Sequence, residues 1–366
     1  MLIYIKPVIA AVAVTLLAIT AQAHEIRENL YLDGVISGAL QCQDLTSDTS
    51  GENTCKGAVP FQPTLTYLHT ERDILLLKLG FATSNGLNDV TPFNITPWGA
   101  DLKDDVKDIN GSDRNYLLEA WYQHMFEFSR RNRLGLTVGI IDASQYLDQN
   151  AYANDEYVQF MNPALSNAPN SLLPSYDVGL AAQWFVDNWS FTGVIMDVHQ
   201  FTTDDNYTFY GVQASNSMVS KLGVGNYRIL LKGDRHLIDL TGTNRQQNDI
   251  LLVSIDQKIG REFGLFTRFG WRIDGRTINY RSIYSGGIDV RGSAWKRALD
   301  NIGIGLVYLD GGNNRINNTR IAEAYYRLVI HSNLALSADL QYIRDKFFQL
   351  PGAEGFVYSL RATIAF

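Results

Sequence analysis

Apolar and polar residues alternate with a period of two along this chain, and the last segment shows this most clearly. The apolar residues Phe356, Tyr358 and Leu360 share one face, and Arg361 and Thr363 lie on the other. Successive side chains of an extended strand point to opposite faces, so this pattern predicts a strand with one apolar and one polar face. Many similar runs reach about 10 residues, the length that a tilted strand needs to cross a bilayer.

The alternation predicts an all-β fold, a transmembrane antiparallel β-barrel of about 16 strands with a water-filled lumen. A soluble sandwich would alternate in the same way, but its strands are usually about five or six residues long. The predicted strands span residues 28–43, 61–70, 73–84, 115–129, 133–143, 175–187, 189–200, 206–214, 225–234, 248–260, 262–274, 277–290, 300–310, 319–332, 333–345 and 355–366.

The amino-terminal residues 1–23 have the order of a secretory signal peptide. Lys6 precedes an apolar run from Pro7 to Thr20, and the small-x-small sequence Ala21-Gln22-Ala23 comes directly before His24. The apolar run is shorter than the roughly 20 residues of a spanning helix. We therefore expect residues 24–366 to form a single exported barrel domain, without a linker.

Composition narrows the possible partners. The net charge of −7 argues against nucleic acid as a partner. Cys42 and Cys55 are the only cysteines and flank a short polar stretch. In an oxidising compartment they are expected to form a disulfide, with two free thiols as the alternative. We expect neither a metal nor another cofactor, because the chain lacks the ligand spacings that these need.

Aromatic residues near the ends of the predicted strands favour interfacial girdles over a simple preference of aromatics for strands. These residues are Tyr31, Tyr67, Phe81, Trp189, Tyr284, Tyr308 and Phe366.

Two connections are unusually long, from Asn85 to Asp113 and from Asp142 to Pro174. Connections of this length are commonly functional or disordered, and the second is too aromatic for simple disorder. If the second segment folds into the lumen, it narrows the channel; if it packs on the barrel rim, the channel stays wide. The sequence pattern of the segment leaves both alternatives open. Its constriction candidates are Asp142, Tyr146, Asp148, Asn150, Asn154, Asp155, Gln159 and Asn162.

Two stretches resemble a known family. LGLTVGIIDASQYLDQNAYANDEYVQFMN with LLPSYDVGLAAQW, and EAYYRLVIHSNLALSADLQYI with the closing RATIAF, are similar to segments of the carbohydrate-selective porins, the OprB family. The resemblance is clear from Tyr116 to Trp184 and from Ile302 to Phe366. It implies a 16-stranded outer-membrane channel for passive sugar uptake. The family's glycine- and tryptophan-rich amino-terminal opening is absent here.

Sugar recognition requires donors and acceptors side by side, because a hydroxyl does both. The polar strand faces offer both kinds, and their mixed sign disfavours a strongly anion-selective pore. The pore-lining candidates are the donors Arg228, Lys232, Arg268, Arg272, Arg281, Arg327 and Arg361 and the acceptors Glu119, Glu127, Asp177, Glu323 and Asp339.

Catalysis is not expected, since the chain has no HExxH, GxSxG, P-loop or dinucleotide-binding motif. We therefore predict a porin of the outer membrane of a Gram-negative bacterium. The porin is expected to conduct small polar solutes, and sugars are the leading class. The alternatives are a channel for small organic acids or other nutrients, and a closed-lumen barrel enzyme or adhesion protein. The expected partners are solutes, membrane lipid, the barrel-assembly machinery through the last strand, and a second copy in a homo-oligomer.

Overall fold

The structure is a computed structural model that describes residues 23–46, 49–171, 173–200, 205–238, 245–275 and 278–366. Except for Ala23, the predicted signal peptide lies outside these residues. The described residues form a closed antiparallel barrel with a wall of 16 strands, which confirms the predicted fold. Among them, no helix has both the length and the apolar character needed to cross a membrane.

Within the described ranges the wall is built almost entirely of strands, and the helices are short. The strands are β1 (His24–Arg27), β2 (Leu30–Leu45), β3 (Thr54–Ala58), β4 (Pro60–Leu68), β5 (Asp73–Leu79), β6 (Phe81–Ala82), β7 (Leu117–Ser129), β8 (Asn132–Ile141), β9 (Asp177–Val186), β10 (Trp189–Gln200), β11 (Asp205–Val219), β12 (Val224–Ile238), β13 (Arg245–Ile259), β14 (Phe263–Gly275), β15 (Tyr280–Arg291), β16 (Asn301–Gly311), β17 (Ile316–His331), β18 (Leu334–Phe347) and β19 (Ala353–Ala365). The helices are α1 (Lys103–Val106), α2 (Pro163–Ser166) and the 3-10 turns Gly86–Asp89, Ile109–Gly111, Ala143–Gln145 and Gly292–Trp295.

The 19 strand segments of the described residues make 16 wall strands because two wall strands are interrupted and one segment is an extra arm. β3 and β4 both pair with β2, and β5 and β6 both pair with β4. The second break falls at Gly80, where a Cβ atom would lie 2.5 Å from the Leu118 side chain. Only glycine therefore allows the wall to approach Leu118 so closely.

The barrel closes between its first long strand and its last. β19 pairs with β2 from Val35 to Leu45, and Gly34 and Phe366 exchange two backbone hydrogen bonds of 3.1 Å. The short β1 pairs with β2 at Leu30 to Leu32, just beyond the end of β19. Closure leaves no free edge along these strands, as a barrel in lipid requires.

The predicted two-faced character of the last strand is present in the barrel. Leu360 is 66% exposed on the outside, whereas its neighbour Arg361 is 1% exposed on the inside. Outside, the rings of Phe366 and Phe61 lie 6.2 Å apart, and Phe61 stacks on Phe81. Apolar side chains therefore cover most of the outer surface of β19, and the charged Arg361 points into the lumen.

The two ends of the barrel differ. One end, here called the short-turn end, carries the first described residues, the last residue Phe366 and the tight connections 130–131, 187–188 and 332–333. The other end carries loop A (residues 83–116) and loop B (residues 142–176), which contain the two long segments predicted above. Cys42 and Cys55 form the predicted disulfide, which bridges β2 and β3.

Candidate functional site

Loop B folds into the lumen, so the first of the two alternatives for this segment is the one observed. Its neck is closed by Asp142, whose carboxylate accepts hydrogen bonds from Ser144 N at 2.9 Å and from Ser175 Oγ at 2.9 Å. Further along, Asn162 caps α2 by accepting a hydrogen bond from Ala164 N at 3.0 Å. Such caps satisfy backbone donors that would otherwise be unpaired inside the barrel.

The apolar part of loop B packs against the opposite wall. Phe160 is fully buried, with its ring 5.4 Å from that of Phe266 and 5.0 Å from that of Tyr325. Leu165 is equally buried and lies over Gly305, where a Cβ atom would come within 2.7 Å of it. The loop therefore shares a hydrophobic core with the inner face of the wall.

Arg268 of β14 holds three parts of loop B at once. Its guanidinium group donates to Asp148 Oδ2 at 2.6 Å, to the Leu165 carbonyl at 2.7 Å and to the Ala153 carbonyl at 2.5 Å. Arg268 is 0% exposed. Charge-assisted hydrogen bonds in a desolvated site are among the stronger ones in proteins, so this arginine acts as a clamp on the loop.

Glu323 and Arg361 hold the other side of loop B. The Glu323 carboxylate accepts hydrogen bonds from Met161 N at 2.5 Å and from Asn162 N at 3.1 Å. Arg361 donates to the Glu156 carbonyl at 2.7 Å and to the Gln159 carbonyl at 2.9 Å. Wall charges of both signs thus bind the backbone of the loop.

Loop A crosses the lumen as well, which the sequence reasoning missed when it limited the constriction candidates to loop B. Asn94 N donates to Asp345 at 2.7 Å, and Asn94 Nδ2 donates to Tyr280 at 2.7 Å. Near its other end, Asn110 donates to Asp177 at 2.8 Å. The apolar residues inside this polar segment were a signal available in the sequence: Phe93, Ile95 and Trp98 are all buried.

The two loops interlock with each other. Trp98 Nε1 of loop A donates to the Glu156 carbonyl of loop B at 3.0 Å. Gly99 N donates to the Met161 carbonyl at 2.9 Å, and Asp101 N donates to the Tyr157 hydroxyl at 3.1 Å. A displacement of one loop therefore breaks hydrogen bonds made by the other.

Acidic groups on loop B titrate abnormally because the barrel surrounds them. Burial is the main cause that raises the pKa of Glu156 well above its ordinary value, and the neighbouring carboxylates Asp155 and Asp101 raise it further. Burial also raises the pKa of Asp155. Protonation of Glu156 thus relieves repulsion where the two loops meet.

The remaining predicted residues lie at different depths in the barrel. Arg228 pairs with Asp256 at 2.7 Å and Lys232 with Asp234 at 3.1 Å, all on the inner face. Arg281 is a largely exposed partner of Asp310. Buried at inward positions are Glu119, Asp177, Arg327 and Asp339; Arg272 is half-buried and Glu127 is exposed beside Arg72.

The constriction candidates all lie on loop B inside the lumen. Asn150 Nδ2 donates to Ser254 Oγ at 3.3 Å on the wall, and Asp148 N donates to Gln213 at 2.8 Å. Gln159 accepts hydrogen bonds from the backbone of Asn154 and Asp155. Tyr146 is buried, whereas Asn154, Asp155 and Gln159 remain half-buried.

Comparison with known proteins agrees with this architecture. Residues 200–366 match the model of the carbohydrate-selective porin, OprB family. This match includes the resemblance predicted for residues 302–366. An uncharacterized protein of Aquifex aeolicus (strain VF5) is 28% identical over 287 residues, which are 74% of this chain and 78% of that protein.

Solved porin structures share the fold at low sequence identity. The high-pH structure of Pseudomonas putida OprB has a TM-score of 0.69 at 12% identity, covering 93% of this chain and 94% of that one. A mutant of the Rh. blastica porin has a TM-score of 0.55 at 12% identity, covering 92% and 100%. Pseudomonas aeruginosa OccK11 (OpdR) has a TM-score of 0.53 at 11% identity, covering 92% and 96%. The fold is therefore that of an outer-membrane porin.

Proposed function

We propose that this chain, an outer-membrane β-barrel of the carbohydrate-selective porin (OprB) family, lets small neutral sugars diffuse through a lumen narrowed by two interlocked loops. The observation that carries the proposal is the clamping of loop B inside the barrel by Arg268, Glu323 and Arg361. A loop anchored to both sides of the wall is a fixed filter, which selects solutes by width and by hydrogen bonding. Family and fold point to a channel rather than to an enzyme.

The inner charges favour a neutral polar solute. Arginine and lysine on the inner face stand beside carboxylates, as in the pairs Arg228–Asp256 and Lys232–Asp234. Such pairs supply donors and acceptors without a ring of one sign, which an ion-selective pore would require. A sugar hydroxyl donates and accepts at once and can exchange its water partners for such groups.

Solute contacts are proposed at the parts of loop B that the wall does not fully cover. Asn154, Asp155 and Gln159 are half-buried there, and so is Tyr152, two residues before Asn154 in the same loop. An aromatic ring next to amide and carboxylate groups suits a pyranose, whose faces are apolar and whose rim carries hydroxyls. The fully buried clamps Arg268 and Arg361 serve in this proposal as supports of the filter rather than as contacts.

Liposome swelling and planar-bilayer conductance test the proposal together. The mature protein is expected to give stepwise currents and to admit glucose faster than a disaccharide, with a charged dicarboxylate slowest. Rapid entry of the dicarboxylate with exclusion of glucose would favour the organic-acid channel instead. An absence of current steps from folded protein would favour a closed barrel. Cleavage after Ala23, also part of the proposal, is checked by amino-terminal sequencing of the exported protein.

A further inference from the structure

A shallow apolar groove crosses the outer surface of β8 to β12. It has a volume of about 480 Å³, and Ala182, Gly193 and Ala214 lie within it between the larger Trp184 and Ile229. A second depression of about 310 Å³ lies beside it and shares the lining residues Leu134 and Trp184. The two together extend from the middle of the outer surface towards the tight connection 130–131.

The groove exists because small residues meet on neighbouring strands. Gly193 lies opposite Ala182 on one side and Val212 on the other, and a Cβ atom at Gly193 would meet no other atom within 4 Å. Two residues further along, on the same outer face, Ala214 lies opposite Phe191. Bulky residues border this low area, so an acyl chain lying there gains contacts on several sides.

The groove ends next to positive charge. Arg130 and Arg131 form the connection between β7 and β8, and Lys221 lies in the β11–β12 connection on the same end of the barrel. Arg131 pairs with Asp187 at 3.5 Å, and the Arg131 side chain is 83% exposed. Within the described ranges no ion pair of Arg130 or Lys221 is found, which leaves the groove end with more cations than carboxylates.

Two further features place this end at a membrane interface. In bacterial outer-membrane barrels the short turns face the periplasm, so the groove faces the periplasmic leaflet. Trp184 lies where the two depressions meet, and its indole Nε1 donates to Asn132 Oδ1 at 2.9 Å. An aromatic ring with one apolar side and one hydrogen-bonded tip is typical of the boundary between acyl chains and headgroups.

We propose that this groove is a binding site for an anionic glycerophospholipid of the periplasmic leaflet. One acyl chain lies over Gly193 and Ala182, and the phosphate contacts Arg130 and Arg131. Guanidinium groups match phosphate oxygens in geometry and in charge. A zwitterionic headgroup also carries a cation, which the two arginines repel, so an anionic headgroup binds more strongly. The lipid would bind from outside the wall, so the inference does not depend on the solute that the lumen conducts.

Native mass spectrometry of the full barrel, released from mixed micelles, tests the site. The probes are phosphatidylglycerol and phosphatidylcholine with the same acyl chains. We expect the unmodified barrel to retain phosphatidylglycerol several-fold more than phosphatidylcholine. The double variant Arg130→Ser/Arg131→Ser should lose this preference, and Gly193→Leu should lower the retention of both lipids.

Matched controls separate the groove from the rest of the surface. Arg261→Ser removes a cation from another short turn, and Ala362→Leu enlarges a small outward residue on β19. Both should leave lipid retention unchanged. Equal lipid retention by the unmodified barrel and the variants would overturn the proposal. A loss of dimers or trimers in Gly193→Leu with unchanged lipid retention would also overturn it, because the groove would then be a contact between copies of the chain. Heat-dependent migration on a denaturing gel confirms that each variant has folded.

Discussion

Replacing Arg268 by methionine should release loop B from the barrel wall while leaving the wall intact. Methionine keeps most of the length of the arginine side chain and removes its charge and donors. The variant loses the hydrogen bonds to the carbonyls of Leu165 and Ala153 and leaves Asp148 buried without its ion-pair partner. The wall strands keep their backbone ladder, since Arg268 reaches the loop only through its side chain.

The size of the effect follows from burial. Arg268 is 0% exposed and the Asp148 side chain 4% exposed, so water cannot replace the lost partner in the docked state. Removing one member of a buried pair typically costs about 3–5 kcal/mol. A tenfold change in an equilibrium corresponds to about 1.4 kcal/mol, so docking of loop B should weaken by roughly two to four powers of ten.

Single-channel recording is the most direct assay. In Arg268→Met we expect larger or noisier current steps, together with faster liposome swelling by disaccharides that the unmodified pore admits slowly. Adding Asp148→Asn should restore part of the filter, because the unpaired buried carboxylate is then removed. Arg281→Met is the matched control, since Arg281 pairs with Asp310 at the exposed rim. If conductance and the size limit of Arg268→Met equal those of the control while the barrel is folded, Arg268 does not clamp the loop.

Three further predictions concern loop A, the pH response and the disulfide. Asp345→Ala removes the acceptor of Asn94 N, so hydrogen exchange in loop A should rise by about tenfold or more while the wall amides stay protected; unchanged exchange would contradict its anchoring role. The raised pKa of Glu156 means that the native state binds the Glu156 proton more tightly than the unfolded chain does. The stability that this proton adds to the native state is therefore complete below about pH 4.5 and is lost as the pH rises through the raised pKa. The thermal midpoint of unfolding should accordingly fall with rising pH, and it should fall less in Glu156→Gln, whose main-chain carbonyl still accepts hydrogen bonds from Trp98 and Arg361. Thermal midpoints that change with pH to the same extent in both proteins would refute this role of Glu156. Replacing both Cys42 and Cys55 by serine should lower stability to denaturant by up to about 3 kcal/mol, and should leave solute uptake unchanged because the disulfide lies at outward positions of β2 and β3; altered uptake would show that the disulfide shapes the pore.

The constriction shows where sequence reasoning stops. Asp148 and Asn162 were recognised as candidates because polar and aromatic residues are mixed within a long connection. Their roles were not predictable: Asp148 binds an arginine 120 residues away, and Asn162 donates to Gln341, 179 residues away. Loop A was noticed for its length alone, although its buried Trp98 supplies one of the contacts between the loops.

Local pattern was sufficient for the wall, because a strand needs only its own alternation to place each side chain on the lipid or the lumen face. Strand number, the outward face of Leu360 and the inward face of Arg361 all follow from that period of two. The tertiary structure decided the rest: that both long loops enter the lumen, and that the inward charges Arg268, Arg361 and Glu323 bind loop backbone. Alternation specifies a direction but no partner, and these partners come together only when the barrel closes and brings distant segments into one enclosed, low-dielectric space.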